Sequence, residues 1–242
     1  MAAAFRWAAA VTPVAVAIGS SRRTILSLIL FGIAFGYLEA AVVVYLRTLS
    51  QPIRLAAGLP LGELFPLVNV ARLGPYLRLV KIELAREAAT LIMLAAVALA
   101  AARTFQGWLA AFSLAFGIWD LAFYASLKVL IGWPESLLTW DLLFLLPVPW
   151  SGPVLAPAIV AASLATGGVL GLMRTPSRVG WFSWTLLALG GALLLASFTW
   201  DWRQIVNSAV PRQFPWGIFA VGEILGVLGF LRAVKLAGPA LR

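Results

Sequence analysis

The 242-residue sequence contains no cysteine and no histidine. The missing thiols exclude disulfides and Cys-ligated metal sites. The missing imidazoles exclude His-ligated haem, His-rich zinc or copper sites and a histidine general base. Charged residues are also scarce, at 11% of the chain, whereas soluble domains carry about 25%. With 62% hydrophobic residues, this composition is typical of an integral membrane protein, and it identifies no cofactor.

Long apolar stretches predict an all-α, polytopic transmembrane helix bundle of about six spans. We expect one transmembrane domain over 24–232, preceded by a cytoplasmic or interfacial segment, 1–23, and followed by a short basic tail, 233–242. The predicted spans are 24–46, 79–102, 106–128, 142–173, 180–200 and 215–232. Interfacial helices are expected between the first two spans, because the apolar stretches within 47–78 are too short to cross.

The fourth predicted span is overlong and rich in proline. It contains Pro147, Pro149, Pro153 and Pro157. Each proline inside a helix removes a hydrogen-bond donor and frees a carbonyl, so we expect a broken helix. Broken helices often form binding sites in transporters, and a kinked helix packed only for its shape is the alternative.

The distribution of charge predicts the orientation of the chain. The side that carries both termini holds nine basic residues and no acid, whereas the opposite side holds nine acids and nine basic residues. Acid-free short loops favour a cytoplasmic location for both termini. The net charge of +9 is explained by basic residues at helix ends, so nucleic acid is not an expected partner. The expected partner is the lipid bilayer, with other membrane subunits as an alternative.

Three acids lie at nearly the same depth in their predicted spans. Glu39 lies 16 residues after Arg23, Glu87 lies 16 before Arg103, and Asp120 lies 17 after Arg103. Each acid is therefore roughly 24–26 Å from the face that the arginines mark, a few Å below the opposite surface. Acids buried in lipid are costly and often belong to a site.

The surroundings of Glu39 and Glu87 suggest that both face other helices. Gly32 and Gly36 precede Glu39 on one helix face, and small residues at this spacing allow close helix packing. Glu83, Glu87 and Thr90 share a face of the second span, where paired acids suit a cation or a shared proton. The alternative for Glu83 is an ion pair with Arg86 in the headgroup region.

Further polar residues extend the predicted site. Tyr124 follows Asp120 by one turn, where its phenol can donate a hydrogen bond to the acid. Lys128 follows by another turn, and extension towards the headgroups is the alternative for it. Asp141 either belongs to the site or caps the following helix.

These residues predict a polar pocket that opens at the outer leaflet. Its candidate binding residues are Glu39, Glu83, Glu87, Thr90, Asp120, Tyr124, Lys128, Asp141, Arg47 and Arg86. Glu39, Glu87 and Asp120 are also candidate metal ligands, and no catalytic residue is identified. The foremost hypothesis is binding or transport of a cation, a proton-coupled solute or an amphipathic molecule. The alternatives are a structural subunit or assembly factor of a membrane complex, and a membrane-embedded enzyme acting on a lipid-linked substrate.

Several sequence strings support a family resemblance. They are Gly36-Tyr37-Leu38-Glu39-Ala40-Ala41-Val42-Val43-Val44-Tyr45-Leu46-Arg47, Glu87-Ala88-Ala89-Thr90 and Thr139-Trp140-Asp141-Leu142-Leu143-Phe144-Leu145. Over residues 30–160 the chain resembles a family of uncharacterised bacterial multi-pass membrane proteins. The resemblance implies a multi-pass membrane protein and no particular activity.

Overall fold

The computed structural model describes residues 21–59, 64–68, 77–174 and 179–236. Most of the predicted N-terminal segment, 1–20, and the end of the predicted basic tail, 237–242, lie outside the described residues. The first residues of that predicted tail, 233–236, belong to the last helix.

The described chain is mainly helical, with one small antiparallel hairpin. Its helices are α1 (Ser21–Ala56), α2 (Leu77–Ala101), α3 (Phe105–Ile131), α4 (Leu155–Met173), α5 (Trp181–Phe198), α6 (Trp202–Val206) and α7 (Trp216–Leu236). Its strands are β1 (Trp140–Phe144) and β2 (Trp150–Pro153). In the described residues six helical segments, α5 and α6 counting as one, are long and apolar enough to cross a membrane. The prediction of a mainly helical chain with six helices able to span a membrane is confirmed, and the hairpin departs from the predicted all-α fold.

The fourth span differs from the prediction, because the expected proline-broken helix is not present. Residues 140–153 form the β1–β2 hairpin, and a continuous helix follows only from Leu155. Pro147 and Pro149 lie in the connection between the strands, and Pro153 ends β2. Pro157 lies in the first turn of α4, where a backbone N–H has no partner within the helix. Each proline thus occupies a position that needs no helical N–H, and none breaks α4.

The connection between the first two spans also differs from the prediction. Helix α1 continues through Arg47 to Ala56, although its predicted end was residue 46. The described residues 64–68 are not helical, and 60–63 and 69–76 lie outside the described part, so interfacial helices are not confirmed. The buried Arg54 donates hydrogen bonds to the carbonyls of Leu64, at 3.0 Å, and Pro66, at 3.1 Å. These bonds hold 64–68 against the end of α1.

Close helix packing is achieved by glycine. Helix α3 packs against α1, α2 and α4. A Cβ at Gly36 of α1 would lie 2.5 Å from the Trp119 carbonyl oxygen of α3, so only glycine allows this approach. In the pair formed by α5 and α7, a Cβ at Gly190 would lie 2.7 Å from the Gly222 carbonyl oxygen. The predicted packing role of the Gly32 and Gly36 face is confirmed.

Candidate functional site

A cavity of about 400 Å³ lies among α1, α2, α3, the start of α4 and the hairpin. Nine of the ten predicted site residues line it. They are Glu39, Arg47, Glu83, Arg86, Glu87, Thr90, Asp120, Tyr124 and Asp141. The rest of its wall is mainly aliphatic and aromatic. The packing of α1, α2 and α3 therefore gathers polar residues from distant parts of the sequence into one apolar chamber.

Arg86 connects two helices through their acids. Its guanidinium forms ion pairs with Glu39 of α1 and with Glu83, one turn earlier on α2. The Arg86 Nε donates to a Glu83 carboxylate oxygen at 2.9 Å. Thr90 Oγ1 donates to Glu39 Oε2 at 3.4 Å. The predicted alternative of a Glu83–Arg86 pair is present, and it includes Glu39 as well.

Glu87 binds the backbone beside the hairpin. The N–H of Leu145, immediately after β1, donates to both carboxylate oxygens of Glu87, at 3.1 and 2.9 Å. Glu87 is buried, so this shared donor replaces part of the water that the carboxylate loses. This contact is not predictable from residue types, because every residue except proline has a backbone N–H donor.

Tyr124 binds a different acid from the one predicted. Its hydroxyl donates to Asp141 Oδ2 at 2.9 Å, although the spacing along α3 had favoured Asp120. Burial raises the pKa of Asp141, which lies on β1, to about 6. The hydrogen bond from Tyr124 and the positive charge of Arg47 oppose this rise in the pKa. Asp141 is therefore a buried acid held by the cavity, and it does not cap α4.

Asp120 differs from the other cavity acids. It is 9% exposed and lines the cavity, yet no hydrogen bond or ion pair joins it to any residue in the described part of the chain. Another acid of the cavity, Asp141, repels it electrostatically. Buried carboxylates normally have partners, so Asp120 differs from the other cavity carboxylates in having none among the described residues.

Two of the predicted basic residues have other contacts. Lys128 donates to the carbonyls of Gly132, at 3.0 Å, and Pro134, at 2.8 Å, and it does not line the cavity. The guanidinium of Arg47 lies over the Trp133 ring, 4.1 Å from its centre. Lys128 therefore binds the carbonyl groups that follow the C-terminal end of α3. Arg47 lines the cavity and also stacks on Trp133.

The acids are not arranged as a metal centre. Among the residues that the structure describes, no group of three or more Asp and Glu side chains lies close enough to hold a metal ion. Hard cations such as Mg²⁺ and Ca²⁺ take six or more oxygen ligands, of which the protein usually supplies several. The side chains instead form separate contacts around an open space.

Sequence reasoning did not identify the aromatic part of the cavity wall. Phe144 of β1 and Trp150 of β2 line the cavity, with ring centres 5.7 Å apart. The sequence pattern predicts a broken helix over both residues and therefore does not indicate that they line the cavity. The spacing of prolines around 144–150 was the available signal for an extended segment.

Comparisons of this chain with models of known protein families, with curated protein sequences and with solved structures give no match. Any function of the cavity therefore has to be inferred from its own chemistry.

Proposed function

We propose that this integral membrane protein binds a positively charged or proton-coupled solute in the cavity and carries it across the bilayer. The observation that carries the proposal is the excess of acids over bases in an apolar chamber. Five carboxylates and two guanidinium groups line the cavity, so its formal charge is −3 when all are ionised. Such an excess inside a membrane protein favours a cationic occupant or bound protons.

The size and lining of the cavity support a small molecule as the occupant. Ligand cavities typically measure about 300–1,000 Å³ and combine apolar walls with a few polar groups. The volume of about 400 Å³ lies in this range. The apolar wall favours an amphipathic solute over a fully hydrated ion.

Transport measurements in proteoliposomes test the proposal. Vesicles that contain a trapped pH dye and purified protein are exposed to Na⁺, K⁺, Mg²⁺ or organic ammonium salts. A cation-dependent change of internal pH, absent from protein-free vesicles, is the expected result. The absence of both flux and cation-dependent thermal stabilisation across this panel would contradict the proposal.

Flux through the Glu87→Gln variant tests whether the solute passes through the cavity. A glutamine oxygen can still accept from the Leu145 N–H, so the variant should fold with near-normal thermal stability and lose flux. Glu135→Gln is the matched control, because Glu135 is an exposed acid outside the cavity. Equal flux in the two variants would place the route elsewhere.

A structural subunit or assembly factor is the second candidate. The Arg86 contacts with Glu39 and Glu83 favour it, because ion pairs between helices also occur as purely structural links. For this candidate, affinity purification from native membranes should recover a stoichiometric partner, and cations should not alter the melting curve. An enzyme of lipid-linked substrates has no separate observation in its favour.

We also propose that both termini are cytoplasmic and that the cavity opens towards the outer leaflet of a bacterial inner membrane. The absence of native cysteine makes single-cysteine labelling clean. Glu135 and Arg174 are exposed and lie at opposite ends of the bundle, so Glu135→Cys and Arg174→Cys provide one labelling site at each end. In intact cells an impermeant maleimide should label the first and not the second. The reverse pattern would invert the orientation.

A further inference from the structure

We infer that the cavity binds an organic ammonium ion, with Asp120 as the counter-charge and the surrounding aromatic rings as the walls. This inference rests on the proposed function and specifies the chemical class of the solute. The ligand would carry a positively charged nitrogen bearing apolar substituents, such as a quaternary ammonium group or a protonated tertiary amine.

Asp120 is identified because every other cavity acid has a partner. Glu39 and Glu83 share Arg86, and Glu87 accepts from a backbone N–H. Asp141 accepts from a tyrosine hydroxyl and has a neighbouring arginine. Asp120, 9% exposed and facing the cavity, has no hydrogen bond or ion pair within the described ranges. It is therefore the cavity acid whose charge remains for a ligand to neutralise.

Aromatic rings line the same cavity as this carboxylate. On α3, Phe116 and Phe123 lie one turn to either side of Asp120, and both line the cavity. Trp119 lies 6.3 Å from Phe144 of β1 and 5.3 Å from Phe116, measured between ring centres. The hairpin thus brings Phe144 against Trp119 of α3 and into the wall of the cavity that Asp120 also lines.

This combination recognises organic ammonium ions better than metal ions. Aromatic faces attract a cation within about 6 Å of the ring centre, and aromatic walls are a recurrent means of binding quaternary ammonium groups. A metal ion needs several oxygen ligands in place of its hydration shell. No acid group of the described chain offers three such ligands at one point. An alkylated ammonium ion needs only one counter-charge and an apolar surface.

Direct binding to purified protein in nanodiscs tests the inference. The probe is benzyltrimethylammonium, and its comparison compound is neopentylbenzene, which has the same shape without the charge. We expect saturable binding of the ammonium probe by calorimetry, and affinity for the neutral compound at least 10-fold weaker. Equal affinity for the two compounds would overturn the inference without requiring any variant.

Substitutions locate the binding site. Asp120→Asn should weaken binding of the ammonium probe at least 10-fold. Asp201→Asn is the matched control, because Asp201 is similarly buried, at 8% exposure, but lies outside the cavity. Phe144→Leu removes a ring while keeping an apolar side chain, and should weaken binding by about 2- to 30-fold. Unchanged affinity in Asp120→Asn would overturn the inference.

The measurements also separate this inference from the proposed function. Binding of K⁺ or Mg²⁺ that depends on cavity acids, without ammonium binding, would overturn the organic ligand and leave cation transport supported. Failure of the whole cation panel to bind would overturn both. Ammonium binding that Asp120→Asn weakens and Asp201→Asn does not would support both.

Discussion

Two regions of this protein are built from similarly apolar helices, but one encloses an acid-lined cavity and the other is a closely packed helix pair. The cavity region, α1–α4 with the β1–β2 hairpin, buries Glu39, Glu87, Asp120 and Asp141 around an open space. The glycine pair, α5 with α7, meets along its glycines and contributes only Phe198 to the cavity. The acid of α7, Glu223, is half-buried, with one carboxylate oxygen enclosed and without a partner among the described residues.

The two regions show that helix association and the buried acids of the cavity have different causes. Within a bilayer, close packing of small residues drives helix association. Both regions use it: Gly36 meets α3, and Gly190 meets α7. Since the glycine pair associates without a network of acids, the acids of the cavity region are not needed for packing alone. Their presence therefore supports the proposed binding site.

The largest expected effect tests the ion pairs of the cavity region. Arg86→Met should leave Glu39 buried without its cation, and breaking a buried pair in this way costs about 3–5 kcal/mol. The free energy of unfolding, measured by SDS titration in mixed micelles, should fall by roughly this amount.

The control for Arg86 lies beside the glycine pair. Arg203 of α6 is exposed and lies over the Trp202 ring. Arg203→Met should change the free energy of unfolding by less than about 1 kcal/mol. A similar loss in both variants would remove the energetic distinction between the regions.

The next effect is a pH dependence that the hairpin introduces. Burial raises the pKa of Asp141 from 3.8 to about 6, so its protonated form favours the folded state. This contribution is complete below 3.8 and is lost as the pH rises through about 6. At about 1.4 kcal/mol per pKa unit, it amounts to about 3 kcal/mol. The melting temperature should therefore fall between pH 4 and pH 7.

Two variants test the assignment to Asp141. Asp141→Asn should make the dependence of melting temperature on pH shallower, because this acid no longer titrates. Tyr124→Phe removes the hydrogen bond that lowers the Asp141 pKa, so it should move the loss of stability to higher pH. An unchanged pH dependence in Asp141→Asn would assign the effect to another group.

A smaller effect distinguishes two adjacent glycines in the glycine pair. Gly190→Ala should push α5 and α7 apart, because the added Cβ meets backbone atoms at 2.7 Å, and should cost about 1–3 kcal/mol. At Gly191 a Cβ meets nothing within 4 Å. Gly191→Ala should therefore stabilise the helix slightly, by its higher helix propensity. Equal melting temperatures for the two variants would contradict close packing at Gly190.

The smallest effect on stability is expected at the unpartnered acid. Asp120→Asn keeps the shape of the side chain and removes a buried charge that has no described partner. The free energy of unfolding should change by less than about 1 kcal/mol, towards higher stability. A loss as large as that of Arg86→Met would show that Asp120 has a structural partner after all.

The sequence by itself determined the membrane class, the six spans and most of the candidate polar residues. Long apolar runs have one main physical solution in lipid, since a helix satisfies its own backbone hydrogen bonds. Equal depth of Glu39, Glu87 and Asp120 follows from a fixed rise per residue, and the Gly32 and Gly36 face follows from the helical period. These signals are local, so they can be read from spacing.

Only the tertiary structure decided how those residues are paired. Tyr124 binds Asp141 and not Asp120, because the hairpin brings an acid from 17 residues away to the phenol. Glu87 binds the N–H of Leu145, a contact for which no residue type gives a signal. Residues 140–153 form a hairpin because the prolines in this segment fit turns and strand ends better than a helix interior. Partner choice depends on distances between elements, and those distances are set by packing across the whole bundle.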